Sequence, residues 1–491
     1  MSGLHRMLRH AAVGLLALLF FGQIALAQSD RASISGTVTD STGAAIGGAT
    51  VTATKLGTNS TRDVTTDKDG GYVLANLEIG PYKLTVKAEG FQTAETEEIV
   101  LQVGDSRSIG VSLTAGSVSD IVTVTAEAPL VKTETSELGE VVDTKKIVDL
   151  PLNGRNYTQL ATLVPGVIRP SGSGNGGNAL ISGGTGGASG NGAPGARTEG
   201  ARFDSSGGSD IVANGQRPAF NNFLVDGVDN NEPLFGQIAV FSNPDAIGEF
   251  KVITTTPSAE FGRAGGAVIS SSFKSGTNEY HGAAYYFHRN KSLNAREFGN
   301  PKPFPQNQFR NHEFGFAVGG PIFKNRTFFF TDYAGQRNNR PESGLTTVPT
   351  ARARMGDFSE FVAAGFGAPR DPRTGQPFSG GIIPMDRILA GGGQQGLNAL
   401  ALYDLPNQGG VTNNFNFTRD ILEQINSFDI RGDHNFNESN HIFSRFTFAN
   451  QRRQRDSIFQ RAPAGFGNGI EFGNTRQVVV GDTHIFSPTL I

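Results

Sequence analysis

Along the C-terminal part of the chain, apolar and polar residues alternate over stretches of about ten. In Ser427–Phe436, Phe428, Ile430, Gly432 and Phe436 fall on one face, with His434 the exception. Asp429, Arg431, Asp433 and Asn435 fall on the other. Successive side chains of a strand point to opposite faces, so this stretch predicts a strand with one apolar and one charged face. Phe314, Phe316 and Val318 alternate in the same way with Glu313, Gly315, Ala317 and Gly319. Ile442, Phe446 and Phe448 alternate with Arg445 and Thr447, and Phe443 breaks the pattern. Tyr280–Arg289, Thr327–Gln336 and Gln477–Phe486 fit less cleanly. With these, six candidate strands lie within residues 273–491.

The links between these stretches alternate in length. Those after Arg289, Gln336 and Ala449 are long, whereas Ile322–Asn325 and Asn437-Glu438-Ser439-Asn440 are short. Short turns at one end and long loops at the other are the layout of a membrane-spanning β-barrel. A soluble sandwich has no need of that parity. The Arg431-Gly432-Asp433 triplet lies inside a strand and reads as chance rather than as an adhesion motif.

Upstream the pattern is different. Ile34–Asp40 alternates and stops at the turn Ser41-Thr42-Gly43, and Thr50–Thr54 alternates next. Thr66-Asp67-Lys68-Asp69-Gly70-Gly71-Tyr72 is a turn feeding a strand, and Gly80–Val86, Glu98–Val103 and Ser106–Leu113 follow. Short strands at this spacing predict an all-β sandwich. Between sandwich and barrel, Leu160–Val167 predicts a short helix ending at Pro165-Gly166. Residues 171–216 are low-complexity, rich in Gly, Ser and Asn, and read as a flexible insertion. They lack the Gly-Lys-Ser/Thr ending of a phosphate loop.

Composition narrows the choice. A chain of 491 residues is too long for one ordinary domain. Its formal net charge of -3 gives no basic excess for nucleic acid. Abundant Gly and Phe, with hydrophobic residues at 37%, argue against the large core of an α/β enzyme. Arg6 and Arg9, the apolar run Ala11–Phe21 and Ala25-Leu26-Ala27 have the layout of a signal peptide cleaved between Ala27 and Gln28. That run is short for a spanning helix of about 20 residues. The chain holds no cysteine, so disulfides and a lipoprotein anchor are excluded. No catalytic, metal or cofactor constellation emerges. Asp226, Asp229, Asn230, Asn231 and Glu232 are rich in oxygen ligands but lack the spacing of a calcium loop.

Two resemblances then organise the chain. Gly36-Thr37-Val38, Thr66-Asp67, Gly71-Tyr72, Leu77, Gly80-Pro81-Tyr82 and Gly90-Phe91 resemble a carboxypeptidase regulatory-like domain, a prealbumin-like sandwich of structural or docking character. The second resemblance rests on Val225-Asp226-Gly227, then Glu249-Phe250 with Val252, then Glu260-Phe261-Gly262-Arg263 with Gly265 and Gly266. This order resembles the plug domain of TonB-dependent outer-membrane transporters, and the sandwich in front points to their Oar-like subgroup. Ile269-Ser270-Ser271-Ser272 departs from the strand that usually ends the plug motif. The glycines are expected to let the plug backbone pack closely against a barrel wall. Gly356-Asp357-Phe358-Ser359, Asp371-Pro372-Arg373-Thr374-Gly375, Phe378, Ile383-Pro384 and Leu405-Pro406-Asn407 resemble an outer-loop signature of the subgroup.

The fold class expected is mainly β. A prealbumin-like β-sandwich (28–116) follows the signal peptide (1–27). Residues 117–131 hold a linker, residues 132–272 an α+β plug domain, and residues 273–491 the first strands of a large antiparallel transmembrane β-barrel. Six strands cannot enclose a plug in a family barrel of about 22, so the sequence is expected to be an amino-terminal fragment. It closes on Ser487-Pro488-Thr489-Leu490-Ile491 without a terminal aromatic strand. Asp120-Ile121-Val122-Thr123-Val124-Thr125-Ala126 stands where these receptors carry a TonB box. A short extended segment of this kind can pair edge-to-edge with a partner's sheet. A last sandwich strand or a plain linker is the other reading of these residues.

The resemblance implies a receptor that captures a scarce small-molecule, glycan or peptide ligand. A TonB-type inner-membrane complex would energise its import, with no cofactor. The other partner implied is outer-membrane lipid, with the sandwich and TonB box in the periplasm and the long loops outside. An adhesive or structural surface protein, and a secreted carbohydrate-active enzyme with an accessory sandwich, are the competing readings.

Overall fold

The structure is a computed structural model. It describes residues 31–117, 121–124, 136–152, 155–168, 211–232, 238–263, 265–293, 295, 309–339, 342–390, 393–459 and 469–486. Ala27 and Gln28, Asp120, Thr125 and Ala126, most of the 171–216 insertion, and Ser487–Ile491 lie outside these residues.

Residues 32–113 form two facing sheets. In one, Ala32–Asp40 is flanked by Gly71–Leu77 and by Ser106–Ser108 and Val111–Leu113. In the other, Gly80–Lys87 lies between Thr50–Lys55 and Thr93–Thr96, and Ser60–Thr65 forms the far edge. Ile34, Val38, Val51, Leu74, Leu84, Val86 and Leu113 alternate inward from both sheets to make the core. Gly36 is required there, because a Cβ would stand 1.8 Å from the Ile109 carbonyl oxygen. The Tyr72 hydroxyl donates to that same oxygen at 2.8 Å. Two strands went unread in the sequence. Ser60–Thr65 and Thr93–Thr96 are largely polar, and Ser106–Leu113 is broken by Ile109-Gly110.

The middle unit is a five-stranded sheet. Its order is Leu138–Val142, Ile247–Thr255, Val268–Phe273, Asn222–Val225 and Val228–Asp229. The helix Thr144–Asp149 is capped by Asp143, whose carboxylate accepts from the Lys146 amide at 2.8 Å. The helix expected at Leu160 begins earlier and is a tighter 3-10 turn, Tyr157–Leu163, capped by Asn156. The core joins Ile147, Tyr157, Phe223, Ile247, Phe250, Val252 and Ile269 to Ala317 and Phe330 of the next unit.

The third unit is one antiparallel sheet, here called the wall. Its strands run in chain order: His281–Asn290, Arg310–Phe323, Thr327–Asn339, Ile421–Asn437, Asn440–Arg455 and Gly469–His484. Each contains one of the six stretches of alternation or most of it, extended toward the long connections. Asn325, at φ 63, makes the turn between the second and third strands. The connection after Asn339 is folded. It pairs Glu342–Thr346 with Phe415–Arg419, carries four short α-helices and one 3-10 turn among its described residues, and packs Val348, Phe415 and Phe417 against Phe459. Among the described residues no helix is long and apolar enough to cross a membrane.

Candidate functional site

The middle unit sits on the charged face of the wall, and the contact is a buried seam of ion pairs. Asp226 ends the Asn222–Val225 strand in a left-handed conformation (φ 50) with Gly227 behind it. That turn aims the carboxylate out of the unit. One oxygen accepts from the Phe273 amide at 2.9 Å and from Arg431 Nη1 at 3.1 Å. The other accepts from Arg445 Nε at 2.8 Å. Both arginines are anchored on the wall. Arg431 forks onto Asp433 two residues along at 2.8 Å, and Arg445 Nη1 donates to the Thr447 hydroxyl at 2.6 Å. Thr447 in turn donates to Asp429. Asp429 faces Asp332 in register, and Asp332 accepts from Asn243 of the middle unit at 3.0 Å. Every one of these side chains is buried. Removing a single partner would strand charge in a dry interface, which costs far more than losing an exposed pair.

A second anchor stands nearer the long connections. Arg155 (φ 52) is paired with Asp245 within the middle unit. Its guanidinium lies 4.0 Å over the Tyr285 ring and 5.3 Å from that of Phe287. Cation–π contacts of this kind hold best when desolvated. Beside it is a cavity of about 90 Å³ between the units, lined by Ser242, Glu313, Gln336 and Ser427 among others.

The sandwich closes the short-turn end. Asn59 donates to Asn325 at 3.2 Å, Thr61 to Glu438 at 3.1 Å, and the Asn278 amide to the Gly57 carbonyl at 2.9 Å. Glu78 meets Lys55 at 2.5 Å, Arg31 at 3.2 Å and wall residue His441 at 3.1 Å. Burial opposes ionisation of Glu78, yet Lys55, His441 and Arg31 together hold its carboxyl well below the usual range. Against the middle unit, the Val103 amide donates to Glu249, and Lys251 donates to the Gly104 carbonyl at 3.3 Å.

The motif residues divide by role. Asp226 is the hub of the seam, and Glu249 holds the sandwich. Phe250 and Val252 are core, with Phe250 edge-on to Tyr157 at 5.5 Å between centroids. Val225 is core too. The atoms nearest a Cβ on Gly265 or Gly266 belong to Phe220 and Asn221 of the middle unit, not to the described wall. The amides of Gly265 and Gly266 donate to the Phe220 carbonyl at 3.0 and 2.9 Å. A Cβ on Gly266 would meet Asn221 Oδ1 at 2.4 Å, so its close approach is internal to the unit. Arg263 pairs at the surface with Asp229 at 3.3 Å. Arg431-Gly432-Asp433 lies within the wall, with Arg431 and Asp433 buried in the seam.

Ile121–Val124 is a strand with a partner in its own chain. It lies parallel to Thr93–Thr96 at the sandwich edge, with Ile121 and Val122 exposed. The outer-loop signature acquires a physical account. Asp357 accepts from the Ser359 amide at 2.9 Å and from Arg352 at 2.7 Å, and the Ser359 hydroxyl, the Ser359 amide and Arg352, in that order, hold its carboxyl down at about 2. The Gly356 carbonyl accepts from the Ile383 amide at 2.8 Å, and Asp371 holds Arg387 at 2.5 Å. These residues fold the long connection. Arg431, Arg445, Asp332, Asn243, Arg155, Glu78 and His441 were not singled out as site residues in the sequence. The inward charges of Asp429, Arg431 and Asp433 were legible there. Their partner, some two hundred residues away, was not.

A wall with one apolar and one charged face, seated on a separate folded unit, fits a sheet that meets lipid on its apolar side. Residues 272–491 match the outer membrane beta barrel domain, and residues 33–114 match the carboxypeptidase regulatory-like domain. These matches and the relative below place the chain in the outer membrane of a Gram-negative bacterium. The chain is a homologue of the TonB-dependent transporter Oar of Myxococcus xanthus, 29% identical over 346 residues. The alignment covers 67% of this chain, and the chain spans only 29% of the length of that relative. Among solved structures, the ferric enterobactin receptor PfeA of Pseudomonas aeruginosa overlaps 70% of this chain and 38% of its own, at 13% identity and a TM-score of 0.35. A putative carbohydrate binding protein from Bacteroides uniformis overlaps 17% of this chain and 41% of its own, at 20% identity and a TM-score of 0.15.

Proposed function

We propose that the protein is a TonB-dependent outer-membrane receptor that takes up an extracellular ligand. The middle unit acts as its plug, and the short-turn end faces the periplasm. The buried seam between Asp226 and Arg431 and Arg445 carries this reading. A permanent interface would be better served by apolar contact, because burying charge brings little net stability. A charged seam offers something else. Once breached, the charged side chains on both faces are readily hydrated, which lowers the cost of parting the plug from the wall beside the apolar contact at Ala317 and Phe330. Homology to Oar supports TonB-dependent transport in general. No covalent step is required of the chain. The ligand is a small molecule, a glycan or a peptide, captured above the plug by the long connections.

Asp120–Ala126 is the segment we assign to the energising partner. Main-chain hydrogen bonds supply the grip in edge-to-edge pairing, and Val122, Thr123 and Val124 favour extension. Because Ile121–Val124 is already paired on one side, capture by a partner means adding to that edge or displacing it. Val122→Pro or Val124→Pro removes a backbone donor. The expected result is loss of uptake with ligand binding intact. Unchanged uptake would sink the assignment. An adhesive role is the runner-up, resting on the folded connection 342–420, which packs on Phe459. It predicts that surface attachment survives deletion of residues 120–126.

A further inference from the structure

The joint between the sandwich and the wall carries groups that neither the seam nor uptake uses. Where the Ser60–Thr65 strand meets the turn at residues 437–440 there is a second cavity, of about 50 Å³. Arg31 and Arg62 line it from the sandwich, and Glu438 and His441 line it from the wall. Asn435 lines it too, and lies opposite His441 in the ladder. Asn435 is two residues past Asp433, so both strands turn their inward face to the cavity and it lies away from lipid.

Two of the lining residues hold unmet groups. The Arg62 guanidinium makes no hydrogen bond and no ion pair with any described residue. Arg62 stands opposite buried Ala53 in the ladder, so its side chain turns under the sheet and not out to solvent. Burial draws its pKa below the ordinary guanidinium value; Tyr82 and Glu78 oppose this only in part, and Arg31 adds to it. His441 directs Nε2 to Glu78 at 3.1 Å, and its Nδ1 is buried without a partner. The carboxylates at hand do not answer Arg62. Glu78 is already shared among Lys55, Arg31 and His441. Glu438 sits on the exposed turn and accepts from the Thr61 hydroxyl at 3.1 Å. An arginine turned under a sheet edge guards that edge against pairing. In that role its head stays in water, whereas here the wall turn closes over it.

We infer that this joint binds one small oxyanion that still carries a proton, of the monohydrogen phosphate class. A space for roughly four waters also takes the four oxygens of one such ion. Arg62 offers it a two-pronged donor, the geometry in which guanidinium groups hold phosphate. Arg31 adds a second positive charge, and Asn437 and Ser439 line the same space with amide and hydroxyl donors. The proton of the ion decides its identity. An ionised Glu438 only accepts, and His441 Nδ1 accepts while Nε2 donates to Glu78. A P–OH group donates to either of them. Sulfate has no proton to give at neutral pH and meets Glu438 as a like charge. The bound ion touches both units, so it favours the docked arrangement by mass action. The site rests on the docked sandwich and not on uptake.

The test uses the full-length protein in mild detergent, at constant ionic strength because salt screens exposed charge. Inorganic phosphate and sulfate are titrated in turn by calorimetry. Phosphate should bind, with sulfate weaker by about tenfold or more. Arg62→Gln should weaken phosphate binding by about tenfold or more. Arg62→Lys should restore only part of it, because an ammonium has no fork. Lys68→Gln removes one positive charge just past the other end of the Ser60–Thr65 strand and should change nothing. In hydrogen exchange on the unaltered protein, phosphate should slow the amides of residues 60–65 and 437–441, and sulfate should not. Equal binding of sulfate, or an equal loss in Lys68→Gln, means an adventitious ion only and overturns the proposal. Unchanged binding by Arg62→Gln overturns it as well. Should Arg62→Gln fail to fold, judged by heat-modifiable migration on gels, the exchange comparison on the unaltered protein decides. No arm measures uptake, so the two readings fail separately.

Discussion

The two faces of the Ile421–Asn437 strand are one residue apart and meet different surroundings. Asp429, Arg431 and Asp433 are buried against the middle unit, whereas Ile430 remains exposed. A soluble sheet would place these the other way round. The difference teaches where each kind of energy resides. The outward face gains only when a membrane covers it. The inward face gains only when the middle unit supplies Asp226. Each face is unsatisfied without a partner outside the wall.

That contrast can be broken from either side. The largest effect should come from Asp226→Ala, which takes the paired carboxylate from buried Arg445 and leaves Arg431 with Asp433 alone. A loss of about 3–5 kcal/mol is expected in urea unfolding of the middle unit. A loss below about 1 kcal/mol would mean the seam is already solvated. Ile430→Arg on the outward face should cost about 2–4 kcal/mol of folding into lipid bilayers. The same change should have little effect on the seam, read as protection of the Asp226 region in hydrogen exchange. Gly266→Ala touches neither face and forces Asn221 aside, so about 1–3 kcal/mol is expected for the middle unit alone.

The smallest effect concerns the sandwich. Glu78 has a depressed folded pKa, so its docking contribution is complete above the ordinary carboxylate range. It is lost only as pH falls well below that range. The distance between spin labels on cysteines placed at Asn59 and Asn325 should therefore hold down to about pH 5 and lengthen in stronger acid.

The strands of the wall were legible because a two-residue period leaves a direct trace in sequence. The turns were legible from Asn-Glu-Ser-Asn at 437–440. The edge strands of the sandwich were not, since Ser60-Thr61-Arg62-Asp63 buries too little to alternate. Asp226-Gly227 was visible as a motif but not as a hub. Its partners lie 205 and 219 residues away, and no local rule links them. Gly266 was assigned close approach, and the approach the structure describes is to Asn221 of its own unit. The strand Ile121–Val124 was legible as extended and sticky. Its pairing with Thr93–Thr96 was hidden because that partner is itself a short polar strand.

The most direct measurement is a double-mutant cycle between Asp226→Asn and Arg445→Gln, read by urea unfolding of the middle unit on the wall. A shared buried pair predicts a coupling energy of about 1.5 kcal/mol or more. Additivity within about 0.5 kcal/mol would contradict the claim that these charges lock the two units together.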